Sequence, residues 1–127
     1  MAAADLVRRI APEERVAADP TPGVTREQAV VVEGMWSGLV RTDAGTTSGW
    51  HHHGKYDTSI YVASGSLRME CGPGGRVVVE AGPGDFVFVP KGAIHREGNP
   101  SDAESHLVVV RAGTGPTVRN VDGPAPA

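Results

Sequence analysis

The sequence predicts an all-β fold, either a jelly roll or a small barrel. Seventeen glycines and 10 prolines are distributed along the 127 residues and separate short runs of β-branched residues. Eight such runs separated by glycine turns are typical of a many-stranded all-β domain. The predicted strands are residues 28–34, 36–43, the segment ending at 53, 58–65, 66–72, 76–81, 85–90 and 105–112.

One domain is predicted, with a segment outside the barrel at each end of the chain. Residues 1–22 are expected to form an N-terminal arm, with room for a short helical turn at Ala3–Ile10 before prolines prevent a longer helix. Residues 23–113 form the predicted barrel. Residues 114–127 are rich in glycine and proline and are expected to be an extended tail.

The strand predicted at 85–90 alternates its side chains between two faces. Phe86 and Phe88 share one face, and Val87 and Val89 share the other. One pair must fill the barrel, and the sequence leaves both choices open.

Composition and charge exclude several classes of protein. The formal net charge is −3 and the chain has no lysine or arginine run, so a nucleic-acid partner is not expected. Asp5 and nearby arginines interrupt the N-terminus where a secretory signal needs an apolar core, and no long apolar run follows. We therefore expect a cytoplasmic protein with no membrane partner. Cys71 is the single cysteine, which excludes an intrachain disulfide.

Three consecutive histidines occur in "GWHHHGKYDTSIYVASG", residues 49–65. Residues two apart in a β-strand face the same side, so His51 and His53 point together while His52 points the opposite way. Two imidazoles on one face form half of a metal site. Without further ligands, the pattern also fits a histidine-rich surface loop.

A second segment, "GDFVFVPKGAIHREGN" at residues 84–99, supplies another imidazole. An alternating apolar strand ends at Pro90, turns through Gly92 and is followed by His95. If both segments lie on one barrel, His95 joins His51 and His53 as three nitrogen donors on one face of a metal ion. The opposite positions of the ion are then left for water, dioxygen or substrate.

Together the two segments resemble the paired motifs of the cupin superfamily. The matching residues are Gly45, His51, His53 and Gly65 for the first motif, and Gly84, Pro90, Gly92, His95 and Asn99 for the second. The resemblance covers residues 45–99. It implies a double-stranded β-helix, the cupin form of the jelly roll, with His51, His53 and His95 as metal ligands.

The sequence departs from the motif at the glutamate that usually completes the metal site. Thr58 stands at that position, and a threonine hydroxyl is a poor ligand for a divalent ion. Asp57, one residue earlier, would reach the ion only if a bulge redirected its side chain, so it is also a candidate surface residue. We expect a three-histidine site without a protein carboxylate. Such a site would favour anionic substrates.

Other residues near the two motifs are candidates for substrate or proton handling. Arg41 could hold a substrate carboxylate, and His106 or Asp57 could supply a general base, although Arg41 and His106 each also fit an exposed strand position. Trp36, Trp50 and Tyr56 could line an apolar pocket above the ion or belong to the core.

The functional prediction is a metal-dependent enzyme for a small oxygen-bearing organic substrate. The first expectation is a dioxygenase that uses Fe(II), with Zn, Ni, Mn or Cu as the alternative ions. The alternatives are a redox-silent isomerase, cyclase or lyase, and a cupin that binds a metabolite or metal without catalysis. A homodimer is also expected, formed through the segment at residues 21–34, because an open sheet edge must be covered.

Overall fold

The computed structural model describes residues 6–126, and most of them lie in β-strands or in the turns that join strands. The strands are β1 Val16–Thr21, β2 Val24–Val32, β3 Met35–Thr42, β4 His51–His52, β5 Asp57–Ser64, β6 Leu67–Cys71, β7 Val77–Ala81, β8 Phe86–Val89, β9 His95–Gly98, β10 Ser105–Ala112 and β11 Arg119–Asn120. Single 3₁₀ turns occur at Pro12–Glu14 and Pro73–Gly75. The all-β prediction is confirmed.

Two antiparallel sheets form the double-stranded β-helix. One has six strands in the order β1-β2-β3-β10-β5-β8, and the other has five in the order β11-β4-β9-β6-β7. Strands distant in sequence are therefore neighbours: β3 and β5 both pair with β10 along most of its length. The longest strands make the first sheet, while the short strands that carry the histidines belong to the second.

The hydrophobic core lies between the sheets, and both contribute to it. Its buried members are Val24, Trp36, Val40, Ile60, Val62, Leu67, Met69, Val87, Val89, Leu107 and Val109. These residues alternate along their strands with outward-facing ones, as a two-sheet core requires. Val87 and Val89 face inward, which resolves the choice that the sequence left open for this strand.

The outer face of the six-stranded sheet also carries large apolar side chains. They are Tyr61, Phe86, Phe88, Val108 and Val110, and Phe86 is 73% exposed. Tyr61 and Phe86 are opposite one another in the β5–β8 pairing, with ring centroids 5.1 Å apart. Strands such as β10 thus have apolar residues on both faces. The alternation of apolar and polar residues in the sequence therefore does not identify which face of these strands is buried.

The strand predictions were incomplete in regions rich in polar residues. β2 begins at Val24, earlier than predicted, because its first residues include inward-facing polar ones. β1, β9 and β11 were not predicted, since "VAADPT", "HREG" and "RN" lack apolar alternation. The predicted helical turn at Ala3–Ile10 falls partly outside the described residues, and residues 6–10 are not helical.

The two segments flanking the predicted barrel both pair with it. β1 forms an antiparallel hairpin with β2, and β11 pairs with β4 through Arg119 opposite His52 and Asn120 opposite His51. Beyond β11, the amide of Val121 donates to the carbonyl of Trp50. The C-terminal segment therefore runs alongside the strand that carries the first two histidines.

Across residues 6–126, no helix has the length and apolar character needed to cross a membrane.

Replacing Leu107 by alanine should destabilise the fold strongly. Leu107 is fully buried between the sheets, and truncation of a buried leucine typically costs about 2–5 kcal/mol. The adjacent Val108→Ala variant is the matched control, because Val108 is 44% exposed on the outer face and should change the unfolding free energy by at most about 1 kcal/mol. Urea unfolding measures both. Equal losses would contradict the assigned inward face of β10.

Candidate metal centre

Three buried histidines converge inside one end of the barrel. His51 lies in β4 directly opposite His95 in β9, and His53 follows β4. One ring nitrogen from each residue lies within 4.8 Å of the others. The ring centroids are 4.4 to 5.2 Å apart. The structure therefore brings together the three residues that the sequence selected as metal ligands.

Backbone carbonyls orient all three rings in the same way. Nδ1 of His51 donates to the carbonyl of Gly49, Nδ1 of His53 to that of Thr117, and Nδ1 of His95 to that of Ala93, each at 2.9 Å. A carbonyl oxygen can only accept, so each Nδ1 carries a proton. In the neutral rings the lone pair is then on Nε2. Such contacts fix the ring orientation and tautomer of metal-binding histidines.

These donors fit a divalent transition-metal ion. Nε2 of His95 is buried and has no hydrogen-bond partner within residues 6–126, although buried polar atoms are usually paired. Three imidazole nitrogens within a few ångströms of one another suit zinc, iron, nickel or copper. His51, His53 and His95 would hold such an ion.

Burial keeps two of the imidazoles neutral, which is the form that binds a metal. Burial, followed by the nearby charge of Arg111, lowers the pKa of His53 to about 2. Burial, followed by the charge of His51, lowers the pKa of His95 to about 4. At neutral pH these rings do not need to lose a proton before they coordinate an ion.

A buried ion pair beside His51 was missed by the sequence analysis. Oε1 of Glu97 lies 3.3 Å from Nε2 of His51 and 3.9 Å from Nη2 of Arg26, and the same Arg26 nitrogen lies 3.4 Å from His51 Nε2. Burial alone would raise the pKa of Glu97, but the contact with His51 and the charge of Arg26 hold the pKa below its usual value. Glu97 is thus an ionised carboxylate inside the barrel.

Further contacts of Arg26 fix this pair in place. Its Nη1 donates to Oγ1 of Thr21 at 2.6 Å and to the carbonyl of Asp19 at 2.7 Å. Alternation could have indicated both missed residues: Glu97 is two positions after His95, and Arg26 is two after the buried Val24.

Arg111 is a third buried charged residue that the sequence analysis missed. Its guanidinium carbon lies 4.3 Å from the ring centroid of Trp36, a cation–π contact. Burial, followed by the charge of Arg26, lowers the pKa of Arg111 to about 10, so it stays charged at neutral pH. Arg111 continues the inward alternation of Leu107 and Val109 along β10.

The structure does not bring the predicted catalytic residues to the histidines. The carboxylate of Asp57 accepts a hydrogen bond from the amide of Lys91 at 3.0 Å and is partly exposed. His106 lies on the outer face, with Nε2 2.9 Å from the carboxylate of Glu104. Thr58, the neighbour of Asp57, is the residue that faces the interior.

The four predicted substrate-binding residues lie in different environments. Arg41 forms an ion pair with Glu27 at 3.0 Å and is partly exposed. Trp36 belongs to the core and donates its indole N–H to Gln28. Tyr56 is buried and donates its hydroxyl to the carbonyl of Gly115.

Trp50 is half-buried, and the guanidinium carbon of Arg96 lies 4.6 Å from its ring centroid. It therefore packs beside the second sheet.

A small apolar cavity adjoins the site. It has a volume of about 60 Å³ and is lined by Met69, Cys71, Val79, Val87, Phe88, Val89, Pro90, Ala93 and His95. It lies where edge strands β7 and β8 of the two sheets approach each other. The apolar lining reaches His95, so this side of the site suits an apolar part of a small molecule.

The chain belongs to the cupin family: residues 38–111 match the Cupin domain. A search of curated protein sequences finds no significant relative.

Solved structures of cupin-fold proteins resemble the whole barrel. The polyketide cyclase RemF from Streptomyces resistomycificus has a TM-score of 0.73 at 22% identity, covering 91% of this chain and 86% of its own. KdgF from Halomonas sp. has a TM-score of 0.68 at 20% identity, covering 84% and 94%. The Bacillus subtilis oxalate decarboxylase, studied for its Mn(II) centres, has a TM-score of 0.68 at 19% identity, covering 80% of this chain and 29% of its own. These likenesses show the fold.

Replacing His95 by alanine should reduce metal affinity by at least about 100-fold, because one of three nitrogen donors is lost. His52→Ala is the matched control. His52 accepts a hydrogen bond from the amide of Gly54 and is not among the converging nitrogens, so this variant should bind metal like the parent protein. Calorimetric titration with zinc measures the affinity. Unchanged binding by His95→Ala would exclude this centre.

Replacing Glu97 by glutamine should lower the unfolding free energy by about 3 kcal/mol, because Arg26 would remain buried without its charged partner. Glu80→Gln provides the comparison: Glu80 pairs with Arg68 at 2.9 Å on the surface, where an ion pair contributes less than about 1 kcal/mol. Both values come from urea unfolding of the metal-free protein. A loss below about 1 kcal/mol for Glu97→Gln would mean that Arg26 does not depend on this partner.

Proposed function

We propose that this protein is a metal-dependent enzyme that acts on a small oxygen-bearing organic substrate. The observation that carries the proposal is the convergence of three imidazole nitrogens whose opposite ring nitrogens are all tied to backbone carbonyls. Three nitrogen donors on one side of an ion leave other coordination positions for ligands. This arrangement is typical of a catalytic metal site rather than a closed structural one.

The protein side chains have distinct roles in this proposal. His51, His53 and His95 hold the ion. Glu97 contacts His51 and, with Arg26, restrains its position. The apolar cavity beside His95 accommodates an apolar part of the substrate and limits the water near it. A divalent ion held there would supply a Lewis acid that polarises substrate oxygens and, if it were iron, a redox centre.

Oxidation by dioxygen with Fe(II) is the first form of the reaction that we propose. Three imidazole ligands suit ferrous iron and leave room for both substrate and dioxygen. Zinc, nickel, manganese and copper are the other candidate ions, and imidazole donors alone do not choose among them.

A redox-silent isomerase, cyclase or lyase is the second candidate. It is favoured by the buried carboxylate of Glu97, which places an ionised oxygen acceptor inside the barrel, and by the likeness to a polyketide cyclase and to an oxalate decarboxylase with Mn(II) centres. In this form His51, His53 and His95 would hold an ion that supplies Lewis-acid chemistry only, and no electrons would pass between the ion and the substrate.

Metal content and oxygen uptake together test these alternatives. We expect the untagged protein, purified without chelator, to hold about one equivalent of a divalent ion, because the three donors form one site. The double variant His51→Ala, His95→Ala should hold none, and His52→Ala should match the parent. Elemental analysis measures all three proteins.

Oxygen consumption with small hydroxy- and keto-acids would support the dioxygenase. A stoichiometric redox-silent ion without oxygen uptake would support the second candidate. If the parent protein bound no metal even after reconstitution, both enzyme proposals would fail, and a cupin that binds a metabolite without catalysis would remain.

We also propose a homodimer built through residues 21–34. Within its own chain this segment contains β2, which pairs with β3 along most of its length but with the edge strand β1 only as far as Gln28. The last residues of β2 therefore lie at the edge of the six-stranded sheet, where a strand presents unpaired backbone groups. Light scattering at micromolar concentration tests the proposal. A monomeric mass would remove it.

A further inference from the structure

We propose that Arg111 and Thr58 form a carboxylate-binding site inside the barrel and hold an acidic group of the substrate next to the metal centre. The inference deepens the proposed function and rests on it. It assigns the substrate class as small carboxylic acids. Three observations support it: both side chains have hydrogen-bond donors without a partner among the described residues, the barrel has an excess of buried positive charge, and the two residues lie opposite each other in neighbouring strands.

Arg111 is buried but lacks a hydrogen-bonded partner. Only 2% of its surface is exposed, and its Nε and Nη1 atoms have no hydrogen-bond partner in the described part of the chain. The cation–π contact with Trp36 holds the face of the guanidinium. This contact leaves the N–H groups along the edge of the guanidinium plane available. The spacing of these N–H groups matches the two oxygens of a carboxylate.

Several other arginines of the protein are paired with acidic residues. Arg41 contacts Glu27 at 3.0 Å, and Arg96 contacts Glu70 at 2.6 Å. Arg26, the other buried arginine, has Glu97 nearby and donates two further hydrogen bonds. Arg111 differs from all of these: it is buried, and no acidic residue within residues 6–126 forms an ion pair with it.

The fully buried charges of the barrel do not balance. Arg26 and Arg111 are two guanidiniums, and Glu97 is their one buried carboxylate in the described structure. The half-buried Asp19 is a weaker source of compensation, because solvent screens it. A divalent ion on the histidines would increase the positive excess. A ligand carboxylate would reduce it, which favours an anionic substrate.

Thr58 adds a neutral donor at the adjacent position. It lies opposite Arg111 in the β5–β10 pairing, and both side chains face the interior. Its hydroxyl is buried and, like the Arg111 nitrogens, has no partner among the described residues. Directly opposed residues on one sheet face have β-carbons about 5 Å apart, close enough to share one small ligand. The hydroxyl can donate to a carboxylate oxygen while Arg111 supplies the charge.

Acetate titration of ¹⁵N-labelled protein tests the inference, both metal-free and zinc-loaded. The probe is sodium acetate, and the readout is the side-chain Nε–H resonance of Arg111, identified by its absence from the Arg111→Gln spectrum. We expect acetate to shift this resonance, with tighter binding when zinc is present.

Three variants compare the contributions of the donors, with acetate affinity measured from shifted backbone amide resonances of the barrel. Arg111→Gln should weaken acetate binding by about tenfold or more, because a charge-assisted contact is lost. Thr58→Val keeps the shape of the side chain but removes the hydroxyl, and should weaken binding by about threefold. Arg68→Gln, the exposed control, should retain the parent affinity, because the Arg68 side chain is 40% exposed and pairs with Glu80 on the surface. If Arg111→Gln does not fold, the resonance is assigned by through-bond correlation and Thr58→Val still tests the site.

The inference would be overturned if acetate left the Arg111 resonance unshifted. It would also be overturned if Arg111→Gln and Thr58→Val both bound acetate as tightly as the parent protein does. Metal content, measured on the same samples, separates this result from failure of the proposed function. A protein that binds no metal but shows the Arg111 shift retains the carboxylate site and loses the metal enzyme. A protein that binds zinc but shows no Arg111 shift retains the metal centre and loses the carboxylate site.

Discussion

The contact among Arg26, Glu97 and His51 links the two sheets at the end of the barrel where the histidines lie. Arg26 belongs to the six-stranded sheet, whereas Glu97 and His51 belong to the five-stranded sheet. Burying charged groups is costly, and such a pair adds little stability compared with well-packed apolar residues. The main effect of the pair is on position, because it restrains the imidazole of His51 relative to the six-stranded sheet. The geometry of the candidate metal centre therefore depends on how the sheets are held together.

The main elements of the fold and the three histidines were predictable, because each rests on a pattern that several residues share. His51 and His53 are two apart, and His95 follows a strand and a turn, so the strand period and the cupin motifs agree on all three. Arg26, Glu97 and Arg111 are single charged residues in otherwise ordinary strands. Alternation shows that their side chains point inward only once it is known which face of each strand meets the other sheet, as His95 indicates for Glu97.

Strand β10 shows why directions were harder to predict than elements. His106 shares a face with Val108 and Val110, and that face is apolar enough to suggest the barrel interior. The interior face instead carries Leu107, Val109 and Arg111. Because both faces of β10 are rich in valine or leucine, hydrophobicity alone does not separate them. The pairing of β10 with β3 and β5 determines the inward face.

The contact between His53 and the carbonyl of Thr117 joins residues 64 positions apart. During synthesis, His51, His53 and His95 all emerge before Thr117 does. The carbonyls that orient His51 and His95 come from Gly49 and Ala93, each two residues away, so they are present as soon as those histidines are made. The acceptor for His53 is therefore the last of the three to be synthesised, and it lies just before β11, which pairs with β4 at the edge of the sheet. A ribosome-bound chain that stops short of this segment would have all three imidazoles but would lack the acceptor that fixes one of them.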